Sequence, residues 1–153
     1  MTESRYLAPG WFTTAVFNRA VRGLTRLGLS IRDSRELRVR GRTSGVWRST
    51  PVNLLTVDGV SYLVAPRGTT QWVRNLRAAG SGELRVGRRV QPFTAEELPD
   101  QAKPPLLRAY LGRWKFEIGA FFPGVSPDAS DDQLAGIAPG YPVFRIRLAG
   151  KTG

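Results

Sequence analysis

The residues most suited to chemistry lie in one short stretch, GRTSGVWRSTP, from Gly41 to Pro51. Its glycines allow the backbone to turn tightly and to bring N–H groups close to an anion, and the hydroxyls of Thr43 and Ser44 add donors. Arg48 follows Gly45 by three residues, where a planar guanidinium could bind an oxyanion through two hydrogen bonds. By spacing alone, the stretch indicates either an anion-binding loop or a tight hairpin with exposed polar residues.

The composition excludes several kinds of catalytic site. The 153 residues include no cysteine and no histidine, which rules out disulfides, thiolate nucleophiles, a Ser-His-Asp triad and metal sites built from these residues. Enzymatic chemistry must therefore rest on carboxylates, Lys, Tyr or Ser, or on a bound cofactor. We expect no metal site. The length and the 41% hydrophobic content predict a single folded domain over residues 1–153.

The positive charge is concentrated in the middle of the chain. The formal net charge is +11, and residues 32–89 hold 12 arginines against four acidic residues, a net of +8. Residues 90–132 hold four basic and seven acidic residues, a net of −3. A basic block of this kind favours an anionic partner, either a polyanion or a small ligand with several phosphates or carboxylates. The alternative is that the arginines only keep the surface soluble.

Residues 9–28 have the pattern of an amphipathic helix, with arginines off the apolar stripe. We expect this helix to pack on the core, and peripheral membrane or partner contact through its basic face is the alternative. The amino terminus lacks the pattern of a signal peptide, and no apolar run is long enough to cross a membrane. The sequence therefore predicts a cytoplasmic protein, with membrane association through this helix left open.

The rest of the chain alternates short strands and helices. Strands are predicted at 37–40, 46–57, 60–66 and 141–149, with a strand or strand pair over 83–94. Helices are predicted at about 70–79, ending at Gly80, and at 100–122, followed by a loop over 123–132. Asp58-Gly59 is a strong two-residue hairpin turn. These elements predict a mainly β fold with flanking helices (α+β), built on an antiparallel barrel.

Three segments downstream of the glycine loop carry a family resemblance: RSTPVN at 48–53, VAPRG at 64–68 and QWVRNLR at 71–77. In this order, with the hairpin turn between the first two, they resemble the deazaflavin-dependent nitroreductase family. That family resembles the flavin reductases in being split antiparallel β-barrels of the FMN-binding, pyridoxamine-oxidase-like kind. Its members use the deazaflavin coenzyme F420. The resemblance therefore implies this fold and this cofactor.

The resemblance also implies site residues. The phosphate and oligoglutamate tail of the coenzyme would contact Arg42, Thr43, Ser44 and Arg48. The strand along the deazaflavin ring would contribute Ser49, Thr50, Pro51, Val52 and Asn53. The second turn and the following helix would contribute Val64, Ala65, Pro66, Arg67, Gln71, Trp72, Val73, Arg74 and Asn75. Arg48 is expected to make the strongest contact, and Arg74 or Arg77 a weaker one.

The implied activity is hydride transfer from reduced F420 to a small electron-poor acceptor, namely a quinone, a nitroaromatic or an activated enone. The candidates for orienting this substrate are Ser49, Thr50, Tyr110 and Trp114. A split barrel that binds FMN, haem or a lipid without this chemistry remains the alternative, and FMN is the alternative cofactor. A nucleic-acid-binding module is less consistent with the sequence, because the aromatic residues are not interleaved with arginines, and no specific nucleic acid is expected. A homodimer is compatible with the fold.

Overall fold

The computed structural model describes residues 34–118 and 121–149. This part of the chain forms the strands β1 (Ser34–Arg40), β2 (Trp47–Val57), β3 (Val60–Val64), β4 (Ser81–Val86), β5 (Arg89–Glu97) and β6 (Val143–Leu148). Its α-helices are α1 (Gln71–Ala79), α2 (Pro104–Ile118) and α3 (Asp131–Ile137). Short 3-10 helices cover Asp100–Ala102 and Ala138–Gly140.

The strands form a closed antiparallel barrel in the order β1-β2-β3-β6-β5-β4. This architecture confirms the predicted mainly β barrel with flanking helices. Asp58 and Gly59 join β2 to β3 with φ angles of 52° and 79°, the left-handed backbone that a two-residue hairpin requires. The segment 83–94 is part of a strand pair, in which β4 and β5 are joined at Gly87 and Arg88.

Apolar and polar side chains alternate along the strands, and the apolar ones fill the interior of the barrel. In β1, Leu37 and Val39 are buried, whereas Arg38 and Arg40 lie on the outer side. Phe93 and Phe144 belong to the same buried cluster, as do residues from β2, β3 and β4. Helix α1 adds Val73 and Leu76 to this cluster, so burial in the barrel core fixes the position of α1.

A second buried cluster lies on the other face of β2, β3 and β6. Leu55 of β2 packs there, while Val52 of the same strand belongs to the barrel cluster. The covering layer comes mainly from α2 and α3. Lys103 is buried just before α2, where its Nζ donates to the carbonyl of Ala138 at 3.0 Å and pairs with Asp100 at 2.7 Å. This lysine holds the start of α2 against the segment that leads into β6.

Some predicted boundaries differ from the structure. Helix α2 begins at Pro104 and not at residue 100, because proline suits the first position of a helix, whose N–H has no intrahelical acceptor. The predicted loop 123–132 overlaps α3, whose cap Ser130 accepts a hydrogen bond from the Gln133 N–H at 3.1 Å. The predicted helix 9–28 lies outside the described residues. Within the described part of the chain, no helix is both long and apolar enough to cross a membrane.

Candidate functional site

The glycine loop connects β1 to β2 and is held by its own hydrogen bonds. The Gly41 N–H donates to the Val46 carbonyl at 2.8 Å, and the Gly45 N–H donates to the Gly41 carbonyl at 2.9 Å. Gly45 has a φ of 73°, a left-handed conformation that favours glycine. Within residues 34–118 and 121–149, the N–H groups of Thr43 and Ser44 have no protein acceptor. The loop therefore presents two free backbone donors beside two exposed hydroxyls.

Gly41 leaves room for the side chains that surround the loop. A Cβ at this position would lie 2.8 Å from the Ser44 Oγ, too close without a shift, and 3.9 Å from the Arg48 Nε. The Ser44 hydroxyl accepts from the Val46 N–H at 3.1 Å, which holds it over the loop. The absence of a side chain at Gly41 thus lets a hydroxyl and a guanidinium lie close to the loop backbone.

Arg42 joins the glycine loop to α1. Its N–H donates to the Asn75 Oδ1 at 3.1 Å, and its Nη1 donates to the same oxygen at 2.8 Å. The same Nη1 also donates to the Gln71 Oε1 at 2.8 Å. Asn75 is buried, while Gln71 is exposed. The structure therefore brings two of the sequence-predicted segments into direct contact, and Asn75 is the connecting residue.

The turn before α1 contains a polar group that the sequence analysis did not select. Thr70 is the N-cap residue of α1, yet its side chain makes no capping hydrogen bond. Its Oγ1 is buried and has no hydrogen-bond partner in the described part of the chain. The signal was present in the sequence, since Thr70 stands at the start of the predicted helix 70–79 and threonine is a preferred N-cap residue. The positive end of the α1 dipole lies at this residue.

The turn between β3 and α1 begins with buried apolar residues and continues with half-buried ones, among them an arginine. Val64 and Ala65 are buried, and Pro66 and Arg67 are half-buried. The Arg67 guanidinium lies 5.6 Å from the centre of the Phe121 ring, so a cation–π contact positions it.

The strand β2 divides the predicted ring-binding residues into two groups. Ser49 is exposed, and Thr50 and Pro51 are half-buried. Val52 is buried in the barrel cluster. Asn53 is also buried and forms a side-chain hydrogen bond with Tyr110 of α2. A ligand can therefore reach the first three side chains without repacking of the core.

The aromatic candidates are part of the packing. Tyr110 and Trp114 are buried in the second cluster, with ring centres 5.0 Å apart in an edge-to-face arrangement. Burial raises the pKa of Tyr110 far above its usual range, and the hydrogen bond with Asn53 only partly opposes this shift. In α1, Trp72 lies 6.0 Å from the Phe144 ring and packs on the barrel cluster.

The arginines near the loop differ in whether their charge is available to bind an anionic ligand. Arg48 and Arg74 are exposed and form no ion pair with any described residue. Arg77, by contrast, makes two hydrogen bonds of 2.7 Å to the carboxylate of Glu97, which raise its pKa. Its charge is thus largely neutralised within the protein.

Trp47 is a second residue that the sequence analysis missed. The Arg40 and Arg38 guanidiniums lie 4.9 Å and 5.4 Å from its ring centre. Arg40 also donates to the Gly45 carbonyl at 3.0 Å. This arrangement supports the outer side of the glycine loop.

The sequence of residues 13–115 matches the family model described as F420H(2)-dependent quinone reductase. The match spans more than half of the 153-residue chain. The chain belongs to the F420H(2)-dependent quinone reductase family. Its class of chemistry is therefore F420-dependent reduction, and the implied use of F420 is supported by this membership. Among curated proteins, none matches the sequence.

Several solved structures are similar to this member of the quinone reductase family. An F420-H2 dependent reductase, FDR-A, is 22% identical, with 76% of this chain and 95% of that chain covered at a TM-score of 0.47. The protein Atu2129 of Agrobacterium tumefaciens str. C58, of unknown function, is 15% identical, with 95% and 61% covered at 0.51. The conserved hypothetical protein Rv2991 from Mycobacterium tuberculosis is 14% identical, with 97% and 86% covered at 0.47. The similarity to Atu2129 supports the fold alone.

The chemistry of the donors fits the anionic part of F420. Thr43 and Ser44 offer free backbone N–H groups, and Arg48 offers a guanidinium beside them. Thr70 offers a buried hydroxyl without a partner at the positive end of a helix. Backbone donors, a helix N-terminus and an arginine are the groups that proteins use to bind phosphate.

Replacing Thr70 with valine tests this fit. The change removes a buried hydroxyl that makes no hydrogen bond, so the free energy of unfolding should stay unchanged or rise by up to ~1 kcal/mol. F420 affinity should fall about fivefold or more, because a bound oxyanion would lose a donor. Urea unfolding and fluorescence titration with F420 measure the two effects. Thr94→Val on the exposed face of β5 is the matched control and should change neither. Lower stability with unchanged affinity would make the Thr70 hydroxyl purely structural.

Proposed function

We propose that this protein reduces a quinone with reduced F420 as the electron donor. The observation that carries the proposal is the junction of the glycine loop with α1. There, Arg42 hydrogen-bonds Asn75 and Gln71 while the donors of Thr43 and Ser44 remain free. Family membership supports the choice of a quinone as acceptor. Nitroaromatics and activated enones are further acceptors with the same need for a hydride.

The glycine loop and the turn before α1 hold the anionic part of the coenzyme. In this assignment Thr43, Ser44 and Thr70 donate hydrogen bonds to the phosphate, and Arg48 neutralises its charge. The exposed Arg74 contacts the carboxylates of the tail, where each contact contributes only ~0.2–1 kcal/mol because water screens it. Arg42 acts as a positioning residue, since Asn75 and Gln71 already engage its side chain.

The accessible residues 49–51 of β2 lie along the deazaflavin ring in this assignment. When bound, reduced F420 supplies a hydride to the acceptor. Pro51 offers an apolar surface to the ring, and the Ser49 hydroxyl, on the same face of β2, orients the acceptor by donating to its oxygen. Thr50 points to the opposite face of the strand, as Val52 of the barrel cluster does. Tyr110 supports β2 from the buried side through its hydrogen bond with Asn53. Trp114 packs against Tyr110 and stiffens this support.

The proposed reaction is tested by mixing the protein with reduced F420 and menadione. We expect the visible absorbance of the oxidised deazaflavin to return faster than in a mixture without protein. Ser49→Ala should lower kcat by about tenfold or more, while F420 affinity changes little. Ser61→Ala on β3 is a matched control at a half-buried strand position away from the loop. No turnover with any quinone, nitroaromatic or enone would contradict the proposal.

A fluorescence titration with F420 beside FMN separates coenzyme use from general flavin binding. We expect F420 to bind and FMN to bind more weakly. FMN lacks the oligoglutamate tail, whose carboxylates the exposed Arg74 would contact. Tighter binding of FMN, or no binding of F420, would overturn the cofactor assignment.

A further inference from the structure

The hairpin between β4 and β5 carries apolar side chains at its tip. The tip comprises residues 85–90, with the sequence RVGRRV. Val86 is 50% exposed and Val90 is 42% exposed, and both are among the few large hydrophobic side chains exposed in the described part of the chain. The other two, Val46 and Trp47, lie at the glycine loop. The tip therefore forms its own exposed apolar feature at the Ser34 end of β1, whereas the glycine loop follows Arg40 at the other end of that strand.

The tip projects beyond the paired strands of the barrel. The register of β4 with β1 ends at the pair Arg85 and Glu36. The register of β5 with β6 ends at Phe93 and Leu148. Val86 and Arg89 therefore pair only with each other, and Val90 pairs only with Arg85. No strand in the described part of the chain covers them from either side.

The two valines lie on opposite faces of this hairpin. Residues that pair directly across a hairpin share a face, and neighbours along a strand point to opposite faces. Val86 thus shares one face with Arg89, and Val90 shares the other face with Arg85. A flat protein surface can bury only one of these faces. A medium that surrounds the tip, such as the interfacial layer of a bilayer, can bury both valines at once.

The charges of the tip favour an anionic surface. Arg85 pairs with Glu36 at 3.4 Å, and this is the only ion pair at the tip within the described residues. Arg88 and Arg89 form no ion pair or hydrogen bond through their side chains there. Their long side chains can extend to lipid phosphates while the valines lie among the acyl chains. β1 also begins at this end of the barrel, since Ser34 is two residues nearer the tip than Glu36.

We propose that the β4–β5 tip inserts into the interface of an anionic lipid bilayer and docks the protein there. The valines contribute apolar burial, and Arg88 and Arg89 bind the negatively charged headgroups. This contact places the barrel at the surface where apolar acceptors dissolve. The proposal does not rest on the reaction proposed above, because its tests need neither coenzyme nor acceptor.

Vesicle co-sedimentation of the full chain tests the docking. We expect binding to vesicles of equimolar phosphatidylcholine and phosphatidylglycerol, and much weaker binding to phosphatidylcholine alone. Val86→Ser combined with Val90→Ser should weaken the affinity about tenfold, and Arg89→Gln about fivefold. Two matched controls should bind like the parent protein. Val46→Ser makes the same substitution at an exposed valine of the glycine loop, and Arg147→Gln removes one positive charge from the outer side of β6.

Several outcomes would overturn the proposal. These are no binding by the parent protein, an equal loss in Val46→Ser, or an unchanged affinity in the double valine variant. Equal losses in Arg89→Gln and Arg147→Gln would indicate attraction by net charge alone. If Arg89→Gln lost affinity for duplex DNA but not for vesicles, the tip would be a nucleic-acid surface.

A label at the tip gives an independent measurement. The chain contains no cysteine, so Val90→Cys provides a unique site for an environment-sensitive fluorophore. Anionic vesicles should shift its emission to the blue, because the label enters a less polar layer. The same label at Val46→Cys should not shift. A label at Val90→Cys that reports water in the presence of bound vesicles would overturn the insertion.

Discussion

Replacing Arg48 with alanine is expected to weaken F420 binding by about ten- to a hundredfold, while the protein stays folded. The guanidinium lies next to the glycine loop, with its Nε 3.9 Å from the place where a Cβ on Gly41 would lie. A charge-assisted hydrogen bond to a phosphate contributes ~1.5–3 kcal/mol, and Arg48 forms no ion pair within the described residues that could replace it. Fluorescence titration with F420 measures the loss, and urea unfolding confirms that the fold is retained.

Two further variants show whether this loss reflects a local contact. Arg147→Ala removes an equal charge from the exposed side of β6, so it reports only the general attraction between a basic protein and an anion. Arg48→Lys keeps the charge but cannot donate two parallel hydrogen bonds, and we expect an intermediate affinity. If Arg48→Ala and Arg147→Ala lost affinity equally, the phosphate role assigned to Arg48 would be wrong.

Replacing Asn75 with alanine is expected to lower the free energy of unfolding by about 1–3 kcal/mol and to weaken F420 binding as well. The Asn75 Oδ1 is buried and accepts from the Arg42 N–H and the Arg42 Nη1. Its removal leaves these donors without their shared acceptor and frees the glycine loop from α1. Urea unfolding gives the change in stability, and titration with F420 gives the change in affinity.

Gln71→Ala is the matched control for this prediction. Gln71 accepts a hydrogen bond from the same Arg42 Nη1 at 2.8 Å, but its side chain is exposed. Water can replace that bond, so the change in stability should stay within about 0.5 kcal/mol. Equal effects of Asn75→Ala and Gln71→Ala, or no effect of either, would show that the junction between the loop and α1 does not depend on the buried amide.

The local patterns of the sequence predict most of the elements. Alternation of apolar and charged residues identifies β1, and Asp58 followed by Gly59 identifies the hairpin between β2 and β3. Gly80 ends α1 in a left-handed conformation, as expected for a residue without a side chain. α3 was not predicted, although Ser130 followed by Gln133 has the spacing of a capping box. Such a short helix depends on its packing as much as on its own residues.

For the candidate site, residue types and their order along the chain predict the glycine loop and its arginines. The family they resemble is confirmed by the match over residues 13–115. The individual assignments of site residues remain predictions. They rest on motifs, and motifs say which side chains are present but not which partners those side chains already have.

The sequence by itself determined the antiparallel strands and the hairpin turns, because these depend on neighbouring residues. It also determined the excess of arginine and the exclusion of cysteine- and histidine-based catalytic sites, because these depend on composition. Only the tertiary structure decided the partners. It joins Arg42 to Asn75, engages Arg77 with Glu97 and leaves the Thr70 hydroxyl buried without a partner. Contacts between residues that are distant in the chain form when the barrel closes and α1 packs on it. Local propensity therefore cannot distinguish an arginine that binds a ligand from one that binds a neighbouring carboxylate.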